Sequence, residues 1–204
     1  MPTATSSEKD RLEFITVAAE YCIFIENSVS TDKQIFIKQA VKYLPTLYLK
    51  TILLPSVVDF PEEESERTVT EAEYENVRVS IETLLGTDDM YLTTFHPEIQ
   101  YSEAPIAASI SEDLADILQE LKDFLFNCQL GDEDLLSNAL DNCLYGFHQH
   151  WGRKLLNALT ALHQLQYNDD KEKEEQDEFL PPINATSQKE SFLHHQLRDD
   201  SDDL

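Results

Sequence analysis

The chain has 204 residues, with 40 acidic against 15 basic side chains and a net charge of −25. Such a surplus repels phosphate backbones and anionic bilayers, since binding to either relies on Lys and Arg. Basic partners, cations or plain solubility remain as its uses. Four glycines disfavour a turn-rich sandwich or a phosphate-cradling α/β fold, and 41% hydrophobic residues suffice for one core plus an unpacked stretch.

Residues 1–7 read as a flexible N-terminus, and no apolar run there suggests a signal peptide. Residues 9–28 read as a first helix whose stripe is Leu12, Ile15, Ala19 and Cys22, widened by Ala18 and Ile25. Thr31 and Gln34 have capping-box spacing and open a second helix. It runs through Phe36, Ala40, Val41 and Leu44, meets Pro45, and continues through Leu47, Leu49, Ile52 and Leu53 to Pro55. Proline removes a donor and clashes with the preceding turn, so a kink or two separate helices is expected. Because this stretch is apolar nearly all round, it is expected to be the most buried helix.

Residues 56–69, with Pro61 and Glu62, Glu63, Glu64 and Glu66, read as a charged connection. Thr70 and Glu73 form a second capping box, followed by Tyr74, Val77, Ile81, Leu84 and Leu85 at helical spacing and by Gly86 as the C-terminal cap. Residues 87–109 keep neither the helical nor the strand period for long. Their aromatic density predicts an ordered loop strapped over the bundle, either packing or lining a binding groove. Ser109 with Glu112, or Ser111 as the alternative cap, starts a helix carrying Leu114, Ile117, Leu118, Leu121, Phe124, Leu125 and Cys128 on one face. Gly131 ends it, and the short gap makes the next helix its antiparallel neighbour.

That next helix runs from Asp132 to about Tyr167, with Leu136, Leu140, Cys143, Phe147, Trp151, Leu155, Ala158, Leu162 and Leu165 at steps of three and four. The phase survives Gly146 and Gly152, so one long rod, bent or straight, is expected. Residues 168–204, rich in acids and holding Pro181 and Pro182, read as a disordered acidic tail. The fold class is therefore all-α: a bundle of five to six helices over residues 8–167, with an acidic disordered C-terminal tail.

Several chemistries are missing. There is no glycine-rich nucleotide loop, no G-x-S-x-G, no H-E-x-x-H, no C-x-x-C and no Glu-x-x-His pair. His148 and His150 are two apart and point away from each other on a helix, so they cannot chelate one ion unless the helix breaks there. No metal or cofactor is expected. Cys22, Cys128 and Cys143, odd in number and widely spaced, fit free thiols in a reducing cytoplasm.

One feature invites a function. At about 100° per residue, Glu112, Asp113, Asp116, Glu120 and Asp123 form a carboxylate stripe. Like charges four apart cost about 0.2–0.5 kcal/mol each, which leaves room for a cation facing them, with Arg153 and Lys154 of the neighbouring helix, a basic partner or a metal ion as candidates; an ordinary solvated face is the simpler reading. The candidate partner-binding set is Tyr91, Phe95, His96 and Tyr101 of the loop, Asp113, Asp116 and Glu120 of the stripe, and Trp151.

The block FHPEIQYSEAPIAASISEDLADILQELKDF from Phe95 to Phe124 stands with EYCIFIEN, LPTLYLKTILLP and the W-G-x-K-L-x-N-A-L-x-A-L-H run from Trp151 to His163. Over residues 12–167 these motifs resemble a Bacteroidetes-type domain-of-unknown-function family, number five thousand and sixty-three. The resemblance implies an all-helical cytoplasmic domain and no particular reaction. The expected function is a non-enzymatic cytosolic module that binds another protein, one of basic character, through its acidic surface. The alternative is a metal-dependent or hydrolase-like enzyme at the 96–123 loop–helix junction, using His96, Tyr101, Asp113 and Asp116.

Overall fold

The computed structural model describes residues 4–55, 66–93, 106–129 and 133–177. The chain divides into two compact units, Met1–Asp169 and Asp170–Leu204. Among the described residues the first is an all-α bundle with one short β ribbon. Helix α1 spans Ala4–Glu26 and ends in a 3₁₀ turn, Asn27–Ser30. Its buried face is Phe14, Ala18, Tyr21 and Ile25, with Cys22 and Phe24 beside it. The expected stripe is thus rotated: Leu12 is 65% exposed. Burial gains scale with apolar area, so the aromatic residues left out of that stripe take the core instead. Phe14 packs on Phe124 with ring centroids 5.3 Å apart, and the Tyr21 hydroxyl donates to the Leu114 carbonyl at 3.0 Å.

Helix α2 spans Lys33–Ile52, and its N-cap is Asp32, whose Oδ1 accepts from the amides of Gln34 and Ile35 at 2.9 and 3.3 Å. The box expected from Thr31 and Gln34 is therefore replaced by a carboxylate one residue later, a stronger acceptor at a helix N-terminus. The helix runs through Pro45, whose ring sits on the exposed side. Nor is α2 the most buried helix: Ile35, Leu49 and Ile52 stand about half exposed. That place belongs to α4, Ile110–Gln129, which packs against α1, α3 (Glu71–Leu85) and α5 (Glu133–Gly146) and buries ten side chains.

Helix α3 starts and stops where its residues predict. The Thr70 hydroxyl caps the Glu73 amide while the Glu73 carboxylate takes the Thr70 amide. Gly86 closes the helix at φ +61°, a conformation that costs an L side chain. The loop after it differs from expectation. Its two ends pair as antiparallel strands, β1 (Met90–Thr93) and β2 (Ile106–Ser109), in the register Tyr91 to Ala108 and Thr93 to Ile106. Four-residue strands are too short to show a period, and alanines have low strand preference. The connection at 56–65, the loop centre at 94–105 and the expected stop at Gly131 lie outside the described residues.

The long C-terminal rod is continuous, and the two glycines mark its one irregularity. Helix α5 passes into a π-helical turn, Phe147–Trp151, and then into α6, Gly152–Asp177. A Cβ on Gly152 would lie 2.5 Å from the Phe147 carbonyl oxygen and 2.8 Å from its ring. The widened turn closes only because that Cβ is absent. Trp151 is fully buried, its indole N–H donating to the Cys143 carbonyl at 3.0 Å. The helix bounds reach Asp177, beyond the end expected near Tyr167. The tail expected over 168–204 is otherwise outside the described residues.

Candidate functional site

The start of α4 is fixed by polar contacts rather than by packing alone. Asp89, in the 3₁₀ turn Gly86–Asp89, is 3% exposed, and its carboxylate takes both the amide and the hydroxyl of Ser111, at 2.8 and 2.7 Å. Ser109 Oγ accepts the Glu112 amide at 3.3 Å, so the serine cap expected there is present. Anions at a helix N-terminus satisfy donors that lack intrahelical partners. This anchorage sets the rotation of α4 and turns one edge of its carboxylate stripe inward.

Asp113 is 5% exposed. Its Oδ2 takes the Tyr91 hydroxyl of β1, and its Oδ1 lies 3.8 Å from the Lys154 ammonium of α6. Lys154 also donates to Asp116 Oδ2. Asp116 Oδ1 takes the Tyr74 hydroxyl of α3 at 2.7 Å, and His150 Nε2 stands 3.9 Å from Oδ2. Two carboxylates of one helix thus bring together a strand, two helices and the π turn. Burial pushes the Asp113 carboxyl up to about 6, against the pull of the Tyr91 hydroxyl and Lys154. Burial and neighbouring carboxylates raise the Tyr91 and Tyr74 phenols. Burial and then Lys154 hold His150 below its ordinary value, with Asp116 opposing.

The remaining members of the stripe divide. Glu112 is exposed. Asp123 takes the amides of Thr68 and Val69 and the Thr68 hydroxyl through Oδ1, at 2.7, 3.1 and 2.8 Å, pinning the segment ahead of α3. Glu120 is partly buried over the π turn: a Cβ on Gly146 would come 2.9 Å from its Oε2. Burial raises its carboxyl, with Arg67 pulling the other way.

Of the candidate set, then, Tyr91, Asp113 and Asp116 form one connected cluster. Glu120 lies along the same edge, and Trp151 is in the core, where it offers a partner no surface. Phe95, His96 and Tyr101 lie outside the described residues. Of the two candidate cations, Lys154 faces the stripe, whereas Arg153 is exposed. Tyr74 and Asp89 carry no site signal in the sequence. Tyr74 sits in phase with a core stripe, which hides its hydroxyl. Asp89 follows a helix stop and resembles any turn aspartate. His148 and His150 both face outward on the π turn, and only His150 approaches a carboxylate. Among the described residues no three His, Cys, Asp or Glu side chains converge as a metal site.

The cluster can hold a proton near neutrality. It has one carboxyl with a pKa of about 6, a phenol on it, an ammonium beside it and an imidazole at the rim. It can equally serve as a polar key that fixes the ribbon on the bundle.

On the outer side of the ribbon, Met90 is 60% and Leu92 66% exposed. Alternation along the strand puts both on one face, with the exposed Ala107 opposite Leu92.

The sequence matches the family described as Domain of unknown function (DUF5063) over residues 5–168. In fold it is similar to a crystal structure of a Bacteroides fragilis protein, 40% identical, with a TM-score of 0.67, covering 78% of this chain and 93% of that one. No curated protein matches. The chain belongs to the DUF5063 family.

Proposed function

We propose that this DUF5063 member is a non-enzymatic cytoplasmic interaction module, and that a protein partner of basic character docks on the β ribbon and the adjoining acidic start of α4. The observation that carries this reading is the exposed pair Met90 and Leu92 on the outer ribbon face. A short ribbon gains nothing for its own fold from two exposed large apolar side chains, and such residues beside charge are the make-up of a protein contact. Glu112 supplies the charge, because Asp113 and Asp116 are already engaged by Lys154, Tyr74 and Tyr91. Tyr91, Asp113 and Asp116 contribute by holding that face in place, and Glu120 extends the acidic edge. No helix among the described residues is long and apolar enough to cross a membrane, and the buried free thiols of Cys22 and Cys143 suit a reducing compartment.

The test compares tagged wild-type chain with Met90→Asp/Leu92→Asp in native lysate. A stoichiometric partner recovered by the first and lost by the second, with unfolding midpoints unchanged, is expected. Recovery unaffected by the double substitution would sink the reading.

The buried Asp113 favours a second reading, acid–base catalysis, since carboxyls raised toward neutrality gather at active sites. Turnover of model ester or phosphate substrates by the purified chain, abolished by Asp113→Asn with the fold intact, would replace the first reading with this one.

A further inference from the structure

A cleft of about 240 Å³ opens where the 3₁₀ turn after α1 meets α3 and α4. Its walls are Val29, Val69, Val77 and Leu118, and its rim carries Glu26, Glu73 and Lys122. Ser28 also lines it, and that residue is unusual. It is 1% exposed, and its Oγ has no hydrogen-bond partner among the described residues. A buried hydroxyl left without a partner is a standing cost that a bound group could relieve.

The volume falls below the roughly 300–1,000 Å³ of cofactor and small-ligand pockets, which points to one side chain rather than a whole molecule. The charge points to its sign. Lys122 is already matched by Glu26 at 2.8 Å, and Glu73 adds a second carboxylate that gives only its Oε2 to Thr70. The rim is therefore net negative, on a chain of charge −25.

We propose that this cleft binds one arginine side chain of a partner protein. The methylene stem lies along Val77 and Leu118, as long cationic side chains do over apolar surface. The guanidinium meets the carboxylate rim, and rotation of the Ser28 side chain, whose Oγ is closed to solvent in the free chain, brings that hydroxyl to it. Its planar fork of five donors can reach both, and it sheds water more readily than an ammonium. Val29, 76% exposed, forms an apolar lip at the mouth. The cleft shares no residue with the ribbon face, so either proposal can fail while the other stands.

The probe is a short neutral peptide with one central arginine, titrated into the full chain and followed by backbone amide shifts, beside peptides carrying citrulline or lysine instead. The arginine peptide is expected to saturate shifts at Ser28, Val77 and Leu118, and citrulline to leave them unmoved. Ser28→Ala should weaken binding about three- to tenfold, with the unfolding midpoint unchanged or raised, since no bond is lost in the free chain. Glu73→Gln retains the capping box, which accepts glutamine, and should weaken binding roughly two- to fivefold. Citrulline or lysine binding as well as arginine would overturn the assignment. So would Ser28→Ala binding as wild type, or shifts spread over the acidic surface without a centre at the cleft.

Discussion

Glu112 and Asp116 stand one turn apart on α4 and are the same in charge, yet they belong to different regions. Asp116 is engaged by Lys154, Tyr74 and the edge of His150, and Asp113 beside it is closed over by Tyr91. Glu112 faces water. The inner edge is a key that joins a strand and three helical segments. The outer edge, with the apolar ribbon face next to it, is free to meet something else. A carboxylate stripe is thus not one functional unit: the rotation of its helix, set here by Asp89 at Ser111, assigns each member its role.

The comparison breaks most sharply at Lys154. Replacing it with Met leaves Asp113 and Asp116 uncompensated at the inner edge. Removing one partner of a buried pair costs 3–5 kcal/mol, and the residual exposure here lowers this to about 2–4 kcal/mol in urea unfolding. The glycines around the π turn sharpen it next. Gly152→Ala drives a Cβ into backbone and ring and should cost about 1–3 kcal/mol. Gly146→Ala meets the end of the Glu120 side chain at 2.9 Å and the edge of the Trp151 ring at 3.3 Å, but no backbone, and it gains helix propensity, so its loss should be smaller, about 0–1.5 kcal/mol. Equal losses would mean that the π turn is not what the glycines serve.

Acid should act on the inner edge in an unusual direction. Asp113 titrates at about 6 in the folded chain, against 3.8 ordinarily. Between those values the folded state binds the proton more tightly, so this group adds stability below pH 4 that is lost as pH rises through 6. Stability should therefore fall between pH 4.5 and pH 7, by on the order of 1–3 kcal/mol from this group. Asp113→Asn should flatten that slope; an unchanged slope would place its origin elsewhere. Next in size, Asp89→Ala removes the anchor at Ser111 and should cost about 1–2 kcal/mol, the range of a lost helix cap.

How much of this was legible beforehand follows from what periodicity can carry. The helices, the box at Thr70 and Glu73, the Gly86 stop and the continuity through Gly146 and Gly152 all rest on local spacing, and all are present. Lys154 was one of two candidate counter-charges, beside Arg153, because short connections make neighbours antiparallel; the spacing did not choose between them or against solvent. Phase was less so. On α1 several apolar faces compete, and only the packed neighbours choose Phe14 and Tyr21 over Leu12. The strands at 90–93 and 106–109 are paired across a loop, which no local period reports. Tyr74 and Asp89 escaped for the same reason: their partners lie far along the chain. Trp151 drew notice as the sole tryptophan, but its surroundings are core.

The most direct measurement is the urea unfolding free energy of two charge reversals, Asp116→Lys and Glu112→Lys. Asp116→Lys should lose about 2–4 kcal/mol, placing a second cation against Lys154. Glu112→Lys should stay within about 0.5 kcal/mol of wild type, as exposed substitutions do. Equal losses, or a larger one at Glu112, would contradict the division of the stripe into an inner key and an outer face.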